Sequence, residues 1–292
     1  MNTTCPWCGS QKAQIHLWLK DEFLTKEDFL IYECQDCGLR YTEPRPSQKT
    51  IGKYYKSEEY YSHQENKRGL IPRLYEKVKG YNLKKKYKIA AKDLQKGTVL
   101  DIGCGVGDFL HTMENRGWKG TGIEPSEEAK DIARNRVNAN LLEPREIVDL
   151  ESESFDLITM WHVLEHVDDL KEEIRQLERL LKKGGRLVLA LPNFKSHDAQ
   201  FYKAHWAAYD VPRHLNHFCK ESIAKIFKNS SLTLKKTDKL KWDAYYISYL
   251  SETYRIHKLP LFRGAIRGLI SNCKARRTGE WSSLVYIFEK ER

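Results

Sequence analysis

The sequence predicts an α/β protein in which a doubly wound, mostly parallel sheet follows a small cysteine-rich ribbon. Two Cys-x2-Cys-Gly knuckles stand near the start of the 292-residue chain. From about residue 97, β-prone runs alternate with amphipathic helical stretches, the order that builds a parallel sheet with helices on both faces. We therefore expect a ribbon over residues 1–45, a linker and basic helix over 46–96, and a sheet domain over 97–292.

The composition indicates a soluble globular protein. Hydrophobic residues make up 40% of the chain, enough for a substantial core. No apolar run approaches the roughly 20 residues that span a bilayer, so we expect no membrane span. The first residues also lack the charged and apolar regions of a signal peptide. The expected location is the cytoplasm, and the sequence predicts no particular oligomeric state.

The two knuckles have the spacing of a four-cysteine metal site, formed by Cys5, Cys8, Cys34 and Cys37. Four thiolates brought together by two such turns complete a tetrahedral zinc site. A disulfide pair and a redox dithiol are the alternatives, but a cytoplasmic setting disfavours stable disulfides. A closed site of this kind predicts a structural zinc, with hairpin strands between Ile15 and Tyr32.

The linker and the following helix carry prolines, tyrosines and most of the positive charge. The pairs Tyr54-Tyr55 and Tyr60-Tyr61 either pack between ribbon and sheet domain or line a substrate entrance. Between residues 66 and 96 there are 11 Lys or Arg and 2 acids, in a chain of net charge +10. This predicted helix over 70–94 has either a solvated face or a surface for phosphates of nucleic acid, nucleotide-linked substrates or membranes.

A glycine turn follows the first strand of the sheet domain. The run Thr98–Leu100 is β-prone, and the turn contains Gly103, Gly105 and Gly107 before a helix to about Arg116. Glycines let the backbone approach a ligand closely, as in cofactor-binding turns. Asp101, just before the turn, would repel a pyrophosphate but can accept hydrogen bonds from an ammonium or hydroxyl group, which disfavours a dinucleotide.

The remaining strands place polar side chains along one edge of the sheet. The second strand ends at Glu124, an acid that can bond both hydroxyls of a ribose. Ser126 is the expected N-cap of the next helix, to Arg136. Strands are predicted over 140–143, 155–161 and 186–193, and a helix over 169–183. Because ligands bind at the carboxyl ends of such strands, the expected edge residues are Asp101, Glu124, Trp161, His162 and Asn193.

These segments together resemble a known family. Asp101–Gly107, Gly122–Pro125, Phe155–Val167 and Gly184–Asn193 are similar to the successive motifs of class I S-adenosylmethionine-dependent methyltransferases. The resemblance implies a Rossmann-like, seven-stranded sheet ended by an antiparallel pair, here 232–242 and 282–289. The cysteine knuckles, Pro-Arg-Pro-Ser and paired tyrosines resemble the zinc-ribbon head of some members, including enzymes of sugar and polysaccharide modification. A dehydrogenase would need GxGxxG, which is not present.

The resemblance assigns cofactor roles by position. The turn would pass beneath the methionine part of S-adenosylmethionine, and Asp101 would hold its amino group. Glu124 would bind the ribose, while Pro125 and Glu143 would flank the adenine, with Asp149 as a rival acid. Trp161 and His162 follow the fourth strand, where the methyl group should lie. The full predicted cofactor set is Asp101, Gly103, Cys104, Gly105, Gly107, Glu124, Pro125, Glu143, Trp161 and His162.

An oxygen or carbon acceptor must also lose a proton, and histidine suits that task near neutral pH. The candidates are His162, His166 and the segment from Trp206 to Phe218. Within it, His214 is the predicted base and Arg213 the predicted anion clamp. The complete catalytic set is His214, Tyr209, Asp210, Arg213 and His166. Alternatively, His166 simply bonds backbone and His217 caps the helix starting near Lys220.

The sequence therefore predicts methyl transfer to oxygen or carbon of a small molecule, such as a phosphorylated or nucleotide-linked sugar or a glycan precursor. A rival is an RNA methyltransferase that holds nucleic acid with its ribbon and basic helix. A second rival is a non-catalytic zinc-ribbon interaction protein. The insertion over about 243–280 contains a second basic stretch, Arg255–Arg277, and either completes the substrate pocket or forms a dimer contact.

Overall fold

The structure is a computed structural model that describes residues 4–47, 49–55, 70–91, 93–255 and 258–291. The predicted tyrosine pair Tyr60-Tyr61 lies outside the described residues. Within them the chain forms a four-stranded and a seven-stranded sheet. The smaller sheet consists of β1 (Ala13–Lys20), β2 (Asp28–Cys34), β3 (Arg40–Glu43) and the short strand β9 (Asn216–His217), in that order and all antiparallel.

The larger sheet is the predicted seven-stranded one. Its strands are β4 (Thr98–Ile102), β5 (Lys119–Ile123), β6 (Asn140–Leu142), β7 (Phe155–Trp161), β8 (Leu181–Pro192), β10 (Leu232–Lys239) and β11 (Ser283–Lys290). Their order across the sheet is β10-β11-β8-β7-β4-β5-β6. Strands β4 to β8 are parallel, whereas β11 is antiparallel to both β8 and β10. The predicted fold class is confirmed.

Helices cover both faces of this sheet. They are α1 (Leu70–Ala91), α2 (Asp108–Glu114), α3 (Glu127–Arg134), α4 (Leu170–Leu180), α5 (His197–Tyr202), α6 (Lys220–Ile226), α7 (Asp243–Tyr254) and α8 (Pro260–Thr278). The Ser126 hydroxyl accepts a hydrogen bond from the Ala129 amide, so Ser126 is the N-cap of α3 as predicted. None of the helices in the described part of the chain is long and apolar enough to cross a membrane.

Helix α4 ends three residues earlier than predicted. The sequence pattern runs to Lys183, but the helix stops at Leu180, and Leu181 already pairs with Phe155 in the sheet. The register then shifts before Arg186, and Gly184 has a φ of 74°. The two glycines therefore form an irregularity inside β8 rather than a helix end, since Leu181 is already buried and paired in the sheet.

Alternate residues of the central strands enter two different core layers. Ile158 and Met160 of β7 pack with the helix residues Ile174 and Leu177. On the other face, Leu157 packs in a layer that also contains Ile89, Phe109 and Met113 from α1 and α2. A strand whose successive side chains are all buried must be covered on both faces, which is the doubly wound arrangement.

The cysteine ribbon shares both a sheet and a core with the larger domain. Tyr41 of β3 pairs with Asn216 of β9, which belongs to the segment after β8. Cys34 and Tyr41 are buried in the same apolar cluster as Phe218 and Ile223. The ribbon is consequently in direct contact with the segment in which the catalytic residues were predicted.

Candidate active site

The glycine turn between β4 and α2 is held against two neighbouring strands. The Gly103 amide donates to the Ile123 carbonyl at 2.7 Å. Gly103, Gly105 and Gly107 have φ angles of 69°, 53° and 78°, which favour glycine. A Cβ on Gly103 would lie 2.3 Å from Cγ2 of Val163. The turn therefore passes directly against the chain that leaves β7.

Glu124 closes the turn from the end of β5. Its Oε2 accepts from the Gly105 amide and its Oε1 from the Ser126 amide, both at 2.9 Å. Each carboxylate oxygen has a second lone pair, so both can accept a further hydrogen bond. Apart from Gly105 itself and its two chain neighbours, no atom of the described chain lies within 4 Å of the Cβ position of Gly105. The turn and Glu124 thus form one unit with open space above it.

Asp101 is a buried acid at the centre of the edge. It is 2% exposed and accepts a 2.6 Å hydrogen bond from the Thr159 hydroxyl. Burial raises its pKa to about 7, although the Thr159 bond and the positive charge of Lys86 oppose this. A cationic ligand group beside Asp101 would keep the carboxylate ionised.

The two residues predicted to flank an adenine lie at the outer end of the edge. Pro125 is exposed, directly after Glu124. The Glu143 side chain is 41% exposed and pairs with the Arg145 guanidinium at 2.8 Å. Its rival Asp149 is exposed at the end of the short 3₁₀ turn that follows. Within the described residues, neither acid forms a hydrogen bond or ion pair with the glycine turn.

Trp161 and Lys86 form a second wall beside the turn. The Trp161 ring packs edge-to-face on Phe109 with 5.2 Å between centroids, and Lys86 Nζ lies 4.7 Å from the Trp161 ring centroid. The indole Nε1 of Trp161 is buried and has no hydrogen-bond partner among the described residues. A buried donor without a partner is costly, so this wall fits a ligand acceptor atom.

His162 sits at the end of β7 between two acids. Its Nε2 is 3.1 Å from Asp243 Oδ2 and its Nδ1 is 3.4 Å from Glu165 Oε1. Burial alone would lower its pKa, but the contacts with Asp243 and Glu165 outweigh burial and raise the pKa to about 9. His162 also has a φ of 62°, in the region where non-glycine residues are uncommon. It is therefore a protonated link between β7 and α7 at neutral pH.

Glu165 is a buried carboxylate without an aligned hydrogen bond. It is 1% exposed, and neither oxygen has a hydrogen-bond partner in the described chain. The 3.4 Å contact with His162 is an ion pair whose geometry falls short of a hydrogen bond. Burial would raise the Glu165 pKa, but His162, His214 and His166 hold it low. The site thus keeps a negative charge among three imidazoles.

His214 and His166 pack edge-to-face with 4.6 Å between ring centroids. Nδ1 of His214 is 2.9 Å from the Ala208 carbonyl, and Nδ1 of His166 is 3.0 Å from the Arg213 carbonyl. A carbonyl only accepts, so the bond to Ala208 places the His214 proton on Nδ1 and leaves a lone pair on Nε2. Nδ1 of His166 also lies 3.1 Å from the Tyr55 hydroxyl, which can donate or accept. One ring nitrogen of each histidine and a Glu165 oxygen lie within 4.8 Å of one another.

The comparisons with known proteins agree on the class. Residues 74–236, more than half of the chain, match the family model described as a methyltransferase domain. The chain belongs to this methyltransferase family. The match contains the glycine turn, Glu124, Trp161 and the cluster around Glu165 and His214.

Curated relatives carry the name ubiquinone biosynthesis O-methyltransferase. The protein from Coxiella burnetii is 34% identical over 107 residues, covering 34% of this chain and 46% of that protein. The one from Hydrogenovibrio crunogenus is 28% identical over 131 residues, covering 42% and 54%. The chain thus spans about half the length of the curated relatives it matches.

Solved structures are similar in fold. Phosphoethanolamine N-methyltransferase 2 of Haemonchus contortus, in complex with S-adenosyl-L-methionine, has a TM-score of 0.51 at 17% identity, covering 73% of this chain and 53% of that one. A SAM-dependent methyltransferase from Archaeoglobus fulgidus has a TM-score of 0.50 at 19% identity, covering 79% and 99%. At these identities the likeness concerns the methyltransferase fold alone.

Arg213 does not fit the predicted anion clamp of this methyltransferase. It is 2% exposed and donates to Asp21 at 2.8 Å, to Asp210 at 2.7 Å and to the Tyr54 carbonyl at 3.0 Å. Asp210 is correspondingly its ion-pair partner rather than a free acid. Arg213 is fully paired inside the protein because β1 brings the buried Asp21 to it, which no local pattern indicates.

Tyr209 and His217 also serve internal contacts. The Tyr209 hydroxyl accepts from Arg40 Nη1 at 3.3 Å, and the ring is 2% exposed. His217 Nε2 lies 2.9 Å from the Thr42 hydroxyl, so the alternative that it caps α6 is wrong, since the N-cap residue is Cys219. His166 does bond backbone, at the Arg213 carbonyl, which was the alternative considered for it.

The four cysteines of the ribbon converge. Cys5 Sγ lies 3.6 Å from Cys37 Sγ, and Cys8 Sγ lies 3.5 Å from Cys34 Sγ. All four sulfurs are within 4.8 Å of one another and none forms a disulfide. A donor set of four thiols at these separations suits a tetrahedral ion.

Sequence reasoning did not single out four residues of the site: Lys86, Thr159, Glu165 and Asp243. Glu165 could have been predicted from the sequence, because it is a charged residue directly before His166 in the motif that follows β7. Lys86 is one lysine among many on a helix for which the sequence leaves a solvated face and a phosphate-binding surface open, and Asp243 is the first residue of the insertion. The contact of Lys86 with the Trp161 ring and that of Asp243 with His162 arise only from tertiary packing.

Proposed function

We propose that this methyltransferase transfers the methyl group of S-adenosylmethionine to an oxygen or carbon atom of a small molecule, such as a nucleotide-linked sugar or glycan precursor. One observation carries the proposal. Along one sheet edge, an open glycine turn with two acids adjoins the group of Glu165, His166 and His214. The first part suits a methyl donor, and the second suits removal of an acceptor proton.

The residues around the turn fit S-adenosylmethionine. Gly105 leaves the space that a Cβ would narrow, and Asp101 offers a buried carboxylate to the amino group of the cofactor. Glu124 has free lone pairs for ribose hydroxyls, and Trp161 offers its unpaired Nε1–H. When bound, this cofactor supplies an electrophilic methyl group on a sulfonium. Asp101 and Glu124 add negative charge near that cation, which favours its binding.

His214 is the proposed general base. Because its Nδ1–H donates to Ala208, the Nε2 lone pair is available to take an acceptor proton. The adjacent Glu165 carboxylate would stabilise the positive charge that then forms on the imidazole. Burial lowers the pKa of His166 to about 4, too low for an efficient base at neutral pH, so its proposed role is to position the His214 ring.

The lysine contacts of α1 support a small acceptor rather than RNA. Lys79 pairs with Asp108 at 2.7 Å, Lys85 donates to the Lys239 carbonyl, and Lys86 faces Trp161. These lysines are engaged within the chain, whereas RNA binding would use them on phosphates. The curated relatives are named O-methyltransferases, which agrees with an oxygen acceptor.

We further propose that Cys5, Cys8, Cys34 and Cys37 hold a structural zinc. The four sulfurs leave no coordination position for a substrate. The ion would hold the ribbon in place against β9 and the segment that carries His214.

Exchange of His214 for Ala tests the base. We expect turnover to fall by about 100-fold to 10,000-fold, because no other group at the site would take the proton as well. S-adenosylmethionine affinity measured by calorimetry should not change. Activity would be followed as transfer of a radiolabelled methyl group to a panel of nucleotide sugars, with the exposed His205→Ala as the control.

The same measurements separate the alternatives. Unchanged turnover in His214→Ala would remove this residue as the base. Absence of S-adenosylmethionine binding by the unaltered protein would instead favour a non-catalytic interaction protein. Labelling of RNA but of no sugar would overturn the proposed acceptor class.

A further inference from the structure

The outward face of α8 carries an apolar stripe, defined here as Phe262, Ile266, Leu269 and Cys273. Their spacing of four, three and four residues places them on one narrow sector of the helix. The first three are 65%, 42% and 53% exposed, and Cys273 is also exposed. Leu259, at the N-terminal end of the helix, is 71% exposed. An exposed apolar row of this length indicates a binding surface for a protein partner or a membrane.

The stripe cannot turn inward, because the opposite face of α8 is packed tightly on α7. A Cβ on Gly264 would lie 2.5 Å from Tyr249 Cα, and one on Gly268 would lie 2.8 Å from Tyr245 Cα. Ser271 on the same side donates to Asp198 at 2.6 Å. The orientation of the helix is therefore set by backbone contact and a buried hydrogen bond.

Positive charge accompanies the stripe. Helix α8 contains five cationic residues and no acidic one, namely Arg263, Arg267, Lys274, Arg276 and Arg277. Arg263 pairs with the buried Glu252, and Arg267 lies over the Phe201 ring. The remaining three are exposed and have no acidic partner within the described ranges. Arg263, Arg267 and Lys274 each directly follow a stripe residue in sequence, so positive charge borders the stripe along the helix.

We propose that α8 docks on the surface of an anionic lipid bilayer, with the stripe in the headgroup region and the cations at the lipid phosphates. A helix with an apolar face flanked by Lys and Arg lies in the plane of such an interface. Each cation near an anionic surface adds attraction. The proposal goes beyond methyl transfer and does not depend on it.

Charge decides against a second copy of the chain as the occupant. In a two-fold symmetric contact the same helix faces itself. Because the partner helix would also carry five cations and no acid, Lys274, Arg276 and Arg277 would find no anionic partner on it, which is unfavourable. Nucleic acid would satisfy the cations but leave Phe262 and Ile266 against polar phosphates. A lipid surface satisfies both the apolar and the charged parts.

Docking would bear on the candidate active site through α7. Asp243, the first residue of α7, contacts His162 at 3.1 Å, and α7 packs along α8 through Tyr245 and Tyr249. If α8 lies on the membrane, α7 lies beside the membrane as well. Helix α7 borders the end of β7 near which the acceptor is proposed to bind. This geometry suits an acceptor carried on a membrane lipid.

Vesicle flotation of the full chain tests the proposal. The unaltered protein should float with phosphatidylcholine vesicles that contain phosphatidylglycerol, and not with phosphatidylcholine alone. Replacing Phe262, Ile266 and Leu269 together by Gln should abolish flotation. Replacing Lys274, Arg276 and Arg277 together by Gln should weaken it by about 100-fold or more. Matched Gln replacements of Ile15 and Trp18, exposed on β1 at 59% and 69%, should have no effect.

Three outcomes would overturn the proposal. The first is flotation of the stripe variant equal to that of the unaltered protein, or no flotation of either. The second is a dimer in sedimentation velocity that the stripe variant abolishes without any vesicle binding. The third is RNA binding that depends on the three cations and not on the stripe. Unchanged S-adenosylmethionine affinity and thermal melting would confirm that each variant is folded.

Discussion

At the scale of single residues, the glycines of the turn have different reasons to be glycine. Gly103 has both a left-handed φ and a neighbour, Val163, where its Cβ would be. Gly105 has a similar φ but open space. Packing against Val163 requires the first glycine, whereas the second leaves the space into which the proposed cofactor would fit.

Ala replacements should separate these two reasons. We expect Gly103→Ala to destabilise the protein by about 2–4 kcal/mol, because strain and overpacking add. Gly105→Ala should cost only about 1–2 kcal/mol, the strain of a left-handed Ala, while S-adenosylmethionine affinity falls. Urea unfolding and calorimetry measure the two quantities. Equal stability of the two variants would contradict this assignment.

The role of Arg213 in the structure differs from the role that the sequence predicts. By sequence it is a cation in a segment rich in histidine and acid. In the structure its guanidinium joins Asp21, Asp210 and the Tyr54 carbonyl. It holds the segment that carries His214 against the ribbon.

We predict that Arg213→Met destabilises the protein by about 3–5 kcal/mol, since Asp21 would remain buried without its cation. Urea unfolding is the measurement. The matched control is Lys53→Met, which removes the exposed Lys53–Glu27 pair and should change stability little. A stable Arg213→Met protein with a raised KM for an anionic acceptor would restore the clamp interpretation.

At the scale of elements, the contact between β7 and α7 depends on the charge of His162. Its folded-state pKa of about 9 exceeds the ordinary value of 6.5. Protonation therefore stabilises the folded state, fully below about pH 6.5, and this contribution is lost as the pH rises through about 9. The insertion should loosen from the strand end in alkaline solution.

The pH dependence of thermal unfolding tests this link. The melting temperature should fall between pH 6.5 and about 9 in the unaltered protein, and Asp243→Asn should make that fall shallower. Asp131→Asn, at an exposed pair with Arg134, serves as the control and should keep the original slope. A slope that Asp243→Asn leaves intact would mean that other groups cause it.

At the scale of the whole molecule, the ribbon and the sheet domain share structure. Strand β3 pairs with β9, and Thr42 donates to the His214 carbonyl at 2.7 Å. Cys34 and Tyr41 lie in the apolar cluster that also contains Phe218. Loss of the proposed ribbon metal should therefore disturb the segment that carries the candidate base, His214.

Removal of the proposed zinc should lower the stability of the whole chain and its turnover together. We expect one metal ion per chain by mass spectrometry in the unaltered protein, and none in Cys37→Ser, with a lower melting temperature. The exposed, isolated Cys273 provides the control, since Cys273→Ser should keep both the metal and the stability. A metal-free Cys37→Ser protein with normal melting and turnover would contradict the coupling.

Much of the candidate site could be predicted because its signals are local. The alternation of strand and helix, the glycine spacing, the acids at strand ends and the Cys-x2-Cys knuckles each occupy a few consecutive residues. They were sufficient for the seven-stranded sheet, which the structure confirms, and for the methyltransferase class. Boundaries such as Leu180 were less certain, because pairing with Phe155 competes with helix periodicity.

The sequence by itself thus determined the fold and the protein class, and it predicted the edge where ligands should bind. Only the tertiary structure decided which charged side chains are free there and which are bound inside. Arg213 and Asp21 lie 192 positions apart, and Lys86 reaches Trp161 from another helix. The free energy of a buried charge depends on partners that are distant in sequence, so no local pattern can report it.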